Sequence, residues 1–160
     1  MTEPRWLSPD ELRSWIRFTA VLELLPGVLD SQLQRDASLT HFDYFVLAML
    51  SEAPDRTLRM TALAARTNAT LSRLSHVVSR LENRGYVERR ASEQDRRATD
   101  TIMTEAGWQK LVETAPGHLE TVRAHVIDAL TPEQIASLGE IAGQLLLRLD
   151  PTGRMTSGIE

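Results

Sequence analysis

Apolar residues recur at three- and four-residue steps near both ends of the chain, which is the spacing of amphipathic helices. The N-terminal pattern follows Ser8-Pro9-Asp10-Glu11, a hydroxyl cap with proline at the first helical position and an acid three residues after the cap. It continues through Leu12, Trp15, Ile16, Thr19, Leu22, Leu25, Leu29 and Leu33. Pro26 falls inside this pattern, and because an internal proline removes one helical hydrogen bond, we predict a kink there rather than a stop.

The C-terminal part of the chain repeats this design. Thr104 is placed to cap a helix that Pro116-Gly117 interrupts and that resumes to about Leu130. A second hydroxyl-proline cap, Thr131-Pro132-Glu133-Gln134, opens the last helix. That helix has its apolar residues on one side, at Ile135, Leu138, Ile141, Leu145 and Leu149. We expect residues 151–160 to be a frayed tail.

The middle of the chain predicts three shorter helices and a hairpin. Each helix has a hydroxyl N-cap, at Thr40, Thr61 and Thr70. The last of these three, which is the fourth helix of the chain, extends to Arg84, and Gly85 ends it in a left-handed conformation. Two strand-like runs follow, 86–90 and 99–103, separated by a polar, charged tip. Two short helices followed by a hairpin with a basic tip describe a winged helix, a structure that holds double-stranded DNA.

Charge is concentrated in the same segment. Residues 59–104 contain nine arginines and five acids, a balance of +4, whereas the whole chain has a formal net charge of −4. The residues outside this segment therefore sum to −8. Although the chain as a whole is acidic, its positive charge is concentrated in residues 59–104, where a polyanion such as DNA can dock.

Length and composition narrow the class of protein. With 160 residues, 42% hydrophobic and 25% charged, the chain is expected to form one globular unit with a sizeable core. The N-terminus lacks a basic region followed by an apolar run, and no apolar stretch approaches the roughly 18 residues of a membrane helix, so we expect neither a signal peptide nor membrane insertion. The absence of cysteine excludes disulfides and thiol redox sensing, and it fits a cytoplasmic protein.

The predicted fourth helix has an apolar face and a polar face. Four residues face inward, Leu74, Val77, Val78 and Leu81, and the opposite face has Ser72, Arg73 and His76, with Ser75 and Ser79 partly turned toward it. A helix that enters the major groove needs short polar groups and arginine near its N-terminal half, where Arg73 and His76 can donate to guanine. Thr70 lies at the helix N-terminus, where free N–H groups hold a phosphate. The alternative is an ordinary solvated helix face, and the hairpin that follows favours DNA contact.

Two further basic features admit more than one interpretation. Arg80 can contact a phosphate, or it can pair with Glu82 or another acid within the fold. At the hairpin tip, Asp95-Arg96-Arg97 can place an arginine in a narrow minor groove, with the Asp95 carboxylate holding the guanidinium by paired hydrogen bonds. An ordinary charged hairpin turn is the alternative for the tip.

Several of these runs, in this order and spacing, resemble the MarR family of transcriptional regulators. They are Leu63-Ala64-Ala65-Arg66, the stretch from Leu74 to Arg89, Asp95-Arg96-Arg97, and Met103-Thr104-Glu105-Ala106-Gly107. The resemblance covers nearly the whole chain, because the flanking helices lie where the family has its dimerisation helices. Met103 stands where the family often has leucine, and Arg73 and His76 differ from the commoner residues, so an operator sequence does not transfer from a relative.

The resemblance implies a mainly α fold of the α+β type, a winged helix-turn-helix with N- and C-terminal dimerisation helices. It divides one domain, 1–160, into a DNA-binding lobe at 40–104, dimerisation helices at 6–36 and 105–150, and the tail. It implies a homodimer on a pseudo-palindromic operator, usually as a repressor. The positions that read DNA in the family correspond to Ser72, Arg73, Ser75 and His76, and the aspartate and arginine of the wing correspond to Asp95 and Arg97.

The family often binds small aromatic or phenolic ligands between the dimerisation helices and the DNA-binding lobe. The candidates for such a site are Trp15, His41, Tyr44 and His118. Each has a simpler interpretation. Trp15 can belong to an apolar core, His41 and Tyr44 can be solvated or can cap a helix, and His118 can hydrogen-bond near Pro116. The family's peroxide sensors rely on a reactive cysteine, which this chain lacks.

Two other functions compete with transcriptional regulation. An enzyme would need a catalytic or cofactor site, but the chain has no G-x-G motif and its four histidines lack the spacing of metal ligands, so we expect no cofactor and no metal. A winged helix that docks proteins instead of DNA is the second alternative, and the +4 segment argues against it.

Overall fold

The structure is a computed structural model, and it describes residues 3–93 and 95–156. The helices are α1 (Pro9–Ala37), α2 (His41–Ser51), α3 (Met60–Arg66), α4 (Leu71–Asn83), α5 (Glu105–Val122) and α6 (Pro132–Leu149). The strands are β1 (Thr57–Arg59), β2 (Val87–Ala91) and β3 (Thr99–Met103). A short 3₁₀ turn, Pro54–Arg56, precedes β1, and a π-helical turn, Arg123–Ile127, follows α5.

Side-chain caps fix where most helices begin. Ser8, Thr40, Thr70, Thr104 and Thr131 each accept a hydrogen bond from the backbone N–H three residues later, at 3.0–3.3 Å. These five predicted caps are confirmed. The sixth, Thr61, is wrong, because α3 begins at Met60 and Thr61 lies inside it. The physical reason is β1, whose pairing with β3 keeps the chain extended up to Arg59.

The two internal prolines leave their helices unbroken. The helix α1 continues through Pro26, which confirms that this proline does not end it. The interruption predicted at Pro116-Gly117 is wrong, since α5 runs through both residues. A proline removes only one backbone donor, which the neighbouring turns of a packed helix tolerate. The irregularity lies further on, where the Asp128 N–H donates to the Arg123 carbonyl at 2.8 Å in the π-helical turn.

The hairpin joins a third strand to form an antiparallel sheet in the order β1-β3-β2. The register pairs Val87 with Met103 and Thr57 with Ile102. The predicted hairpin is confirmed with a shift of one residue in β2, and β1 was not predicted. Gly85 has φ +77°, which confirms its left-handed conformation at the end of α4.

The core of the winged helix lies between α2, α3, α4 and the sheet. Its fully buried side chains include Leu47, Leu50, Leu63, Leu74 and Leu81. Gly107 in the first turn of α5 lies so close to the Tyr86 carbonyl that an added Cβ would be 2.1 Å from its oxygen. The Thr104 N–H donates to that same oxygen at 3.0 Å. The turn before β2 is therefore fixed against the start of α5.

The terminal helices leave large apolar side chains exposed. On α1 these include Leu12, Trp15, Ile16, Val21, Leu22 and Leu24, and on α6 Leu138, Ile141, Leu145, Leu147 and Leu149. In α6 no residue is buried. Within the described ranges, no helix has both the length and the hydropathy that crossing a membrane requires.

The predicted tail begins with an ordered turn. The Met155 N–H donates to the Asp150 carboxylate at 2.8 Å, and this bond is the main reason that the pKa of Asp150 lies below its ordinary value. Residues 157–160 lie outside the described part of the chain.

Candidate nucleic-acid interface

The helix α4 presents a polar face to solvent. Its four predicted inward residues, Leu74, Val77, Val78 and Leu81, are all buried. Ser72, Arg73 and His76 are exposed, as is the N-cap Thr70, while Ser75 is half-buried. Thr70 uses its hydroxyl to accept the Arg73 N–H at 3.2 Å, so it stabilises the end of the helix that would face DNA.

Arg73 is held by an aromatic ring. Its guanidinium lies over the ring of Phe42, 4.2 Å from the ring centroid. Phe42 belongs to the first turn of α2 and is half-buried against the core. This contact fixes one side of the guanidinium and leaves its N–H groups free to donate to another partner.

Arg80 forms an ion pair across the fold. Its guanidinium donates to the Asp43 carboxylate at 2.5 Å, and the Asp43 side chain is only 3% exposed. The other oxygen of Asp43 accepts the Thr40 N–H at 2.9 Å, so one carboxylate caps α2 and also binds α4. This is the pairing with another acid of the fold that the sequence left open. Arg80 remains about half exposed, with a side-chain accessibility of 48%.

Three more arginines of the basic segment have partners within the fold. Arg84 donates to the Ser38 carbonyl at 2.7 Å. Arg89 donates to the Glu82 carboxylate, and its hydrogen bonds lower the pKa of that carboxyl. Arg90 pairs with Glu88, which lies two residues earlier in β2. The charge available to DNA is therefore smaller than the sequence count of arginines suggests.

The hairpin tip is held by two hydrogen bonds from backbone N–H groups to Asp95. The Asp95 carboxylate accepts the Arg97 N–H at 3.0 Å, and the Asp95 carbonyl accepts the Ala98 N–H at 2.8 Å. The predicted bond from Asp95 to the Arg97 guanidinium is wrong, because in a tight turn the backbone N–H two residues on is nearer to the carboxylate. Arg96 and Arg97 are exposed, and in the described ranges neither guanidinium has an ion-pair or ring partner.

Three of the four candidate effector residues lie together. The Tyr44 and His118 rings have centroids 4.4 Å apart, and the His41 and His118 rings 6.2 Å apart. His118 is 9% exposed, and its Nδ1 is buried with no hydrogen-bond partner among the described residues. Burial lowers the pKa of both histidines and raises the pKa of Tyr44, and the neighbouring His41 lowers the pKa of His118 further. Both imidazoles are therefore favoured in the neutral form.

Trp15 lies apart from this cluster. Its ring packs against Phe18 with a centroid distance of 6.5 Å, and it lines a shallow depression with Ile141 and Leu145 of α6. The tryptophan is 54% exposed, so it does not belong to the core of this chain.

Two residues that contact the candidate interface were missed by sequence reasoning. Phe42 reads in the sequence as one more apolar residue of α2, although its ring also supports Arg73. Asp43 follows Thr40 by three residues and completes a capping box. That local signal marks Asp43 as ordered, whereas its partner Arg80 lies 37 residues away and has no signature in the sequence.

The fold and the exposed arginines of α4 and the hairpin define a winged-helix DNA-binding protein. The sequence model of the MarR family matches residues 38–98. The chain is 46% identical to Sco3205 of Streptomyces coelicolor, a MarR family transcriptional regulator solved in complex with DNA, with a TM-score of 0.89 and 95% of each chain covered. The chain belongs to the MarR family and is a DNA-binding transcriptional regulator.

Other relatives agree with this family. AbsC, a MarR family regulator of Streptomyces coelicolor, is 36% identical, with a TM-score of 0.87 over 93% of this chain and 100% of AbsC. The transcriptional repressor YetL of Bacillus subtilis is 26% identical over 137 residues, which are 80% of this chain and 81% of YetL. These relatives are regulators of transcription, so the comparisons favour neither the enzyme nor the protein-docking alternative.

Proposed function

We propose that this regulator is a homodimeric repressor that binds a pseudo-palindromic operator in the cytoplasm, where its DNA partner resides. The observation behind the proposal is the division of α4 into a buried apolar face and an exposed face with Arg73 and His76. Each half-site would receive one α4 in the major groove and one hairpin tip in the adjacent minor groove.

The DNA contacts divide by chemistry. Arg73 and His76 donate to base edges, with Ser72 and Ser75 beside them. Thr70 and the N-terminus of α4 hold a phosphate. Arg80, oriented by Asp43, contacts a second phosphate with the N–H groups that the ion pair leaves free. Arg97, with Arg96 beside it, enters the minor groove, and Asp95 holds the turn behind them.

Dimerisation follows from the terminal helices. Exposed apolar side chains such as Leu22 on α1 and Leu145 on α6 cost free energy in water, and a second copy supplies matching surfaces. A symmetric dimer also presents two copies of α4 to two half-sites of DNA. Trp15 belongs to this apolar surface rather than to a ligand site.

The regulator also responds to a small aromatic or phenolic effector at the cluster of His41, Tyr44 and His118. A buried imidazole nitrogen without a partner costs free energy, and a ligand that hydrogen-bonds to it would recover that cost. Such a ligand weakens DNA binding only if it binds more tightly to the conformation that has low affinity for DNA. Repression as the default activity is supported by the repressor among the relatives.

Fluorescence anisotropy tests this proposal. A duplex that the protein selects from a random pool and a scrambled duplex are titrated at matched salt. We expect saturable binding of the selected duplex at two chains per site, with a preference of at least about a thousandfold over the scramble. Equal binding of both duplexes, or one chain per site, would contradict the proposal. Release of bound DNA by a panel of aromatic acids and phenols tests the effector separately.

A further inference from the structure

The first turn of α2, residues 41–44, contacts side chains of two other helices, α4 and α5. Phe42 lies under the guanidinium of Arg73, and Asp43 binds the guanidinium of Arg80. Tyr44 lies against His118 of α5. One helical turn therefore touches both proposed DNA-contacting arginines of α4 and the buried histidine of α5.

We infer that Phe42 is a positioning residue for DNA reading, which acts by holding the guanidinium of Arg73 in the orientation that reads a base. The inference rests on the proposed operator binding. Arg73 is exposed on the polar face of α4, so without a support its long side chain would sample many rotamers. Binding a base edge requires one of them, and the ring restricts the guanidinium before DNA arrives.

The geometry favours support of Arg73 over its sequestration. The Phe42 ring covers the Arg73 guanidinium from one side, and the described residues form no hydrogen bond or ion pair with that guanidinium, so its N–H donors stay available for a bidentate bond to guanine. Phe42 is itself half-buried against the core, and Asp43 beside it is held by both Thr40 and Arg80. The ring is therefore a rigid platform, fixed by the packing of α2 rather than by Arg73.

The test uses two substitutions that differ only in whether an aromatic ring remains. Phe42→Leu keeps an apolar side chain against the core but removes the ring face, and Phe42→Tyr keeps the ring. A cation–π contact at an exposed site is worth about twofold to fivefold in affinity, so two half-sites should lose about fourfold to twenty-fivefold. We expect Phe42→Leu to weaken operator binding by that factor, Phe42→Tyr to bind like the wild type, and both to keep the wild-type affinity for scrambled DNA.

A double substitution separates positioning from general stability. In an Arg73→Ala background there is no guanidinium to hold, so adding Phe42→Leu should have no further effect on operator affinity. Equal operator binding by Phe42→Leu and the wild type overturns the inference. An equal loss of affinity for operator and for scrambled DNA also overturns it. So does a loss of operator affinity from Phe42→Leu that is as large in the Arg73→Ala background as in the wild type. A wild-type protein without operator preference overturns the proposed function instead, which distinguishes the two failures.

Discussion

The hairpin tip offers a prediction in which two effects of one carboxylate have opposite signs. Asp95 holds the Arg97 N–H at 3.0 Å, so its removal should disorder the turn that presents Arg97. Its negative charge also repels phosphate, so its removal should strengthen binding. We therefore compare Asp95→Ala, which loses both the bond and the charge, with Asp95→Asn, which loses the charge but keeps an acceptor oxygen.

The magnitudes decide which effect wins. A hydrogen bond to a charged acceptor contributes about 1.5–3 kcal/mol, and at this exposed site we take about 1 kcal/mol. Repulsion between unit charges about 10 Å apart in water is about 0.4 kcal/mol before screening by salt. The bond outweighs the charge, and over two half-sites Asp95→Ala should weaken operator binding by about tenfold. Asp95→Asn loses only the repulsion, about 0.8 kcal/mol over two half-sites, and should stay within about fourfold of the wild type.

Anisotropy titrations of the operator with wild type, both Asp95 variants and Arg97→Ala provide the assay. Arg97→Ala should cost about 1–3 kcal/mol. Adding Asp95→Ala to it should cost little more, because the arginine whose backbone N–H Asp95 holds is then already absent. Asp95→Ala binding as tightly as Asp95→Asn would refute the reasoning, since the hydrogen bond would then contribute nothing to DNA binding.

Three further predictions concern salt, assembly and pH. Arg84, Arg89 and Arg90 have partners in the fold, so we do not count them as phosphate contacts, and about four phosphate contacts per dimer remain. The slope of log K against log salt for the operator should therefore be about −4, and a slope steeper than about −7 would contradict this count. Leu145→Glu should leave a monomer in analytical ultracentrifugation that has lost operator binding, whereas a dimer would place the interface elsewhere. Burial lowers the pKa of His118 below its ordinary 6.5, so the unfolded chain binds a proton at a higher pH than the folded chain does, and stability should fall as pH decreases below about 6.5. Thermal melts of His118→Gln should show a smaller decrease over the same pH range. An unchanged pH profile of that variant would show that His118 does not titrate on unfolding.

Local sequence signals predicted the elements that depend on local interactions. Thr40, Thr70 and Thr104 each bond to a backbone N–H three residues on, so both partners are visible in one short stretch of sequence. Gly85 is similar, because a positive φ at a helix end favours glycine whatever lies around it. These signals, with the two strand-like runs and the charged tip between them, were sufficient to predict the winged helix.

The elements that were missed depend on distant partners. The strand β1 has three residues and is defined only by its pairing with β3, more than 40 positions away. That pairing also places the N-cap of α3 at Arg59 instead of the predicted Thr61, so the helix begins at Met60. In the candidate site, the pairs Phe42–Arg73 and Asp43–Arg80 join α2 to α4, and no periodicity or motif relates their positions. Sequence reasoning selected Arg73 and Arg80 as candidates, but it did not find Phe42 and Asp43, which hold them.

The backbone hydrogen bonds of the hairpin tip have a consequence for how such regulators diverge. The turn is held by Asp95 and by main-chain bonds to Arg97 and Ala98, and none of them uses an arginine side chain. After a gene duplication, residues 96 and 97 of one copy can therefore mutate freely without collapse of the loop. With the minor-groove role proposed for Arg96 and Arg97, single substitutions there would change operator preference while both copies keep the same scaffold.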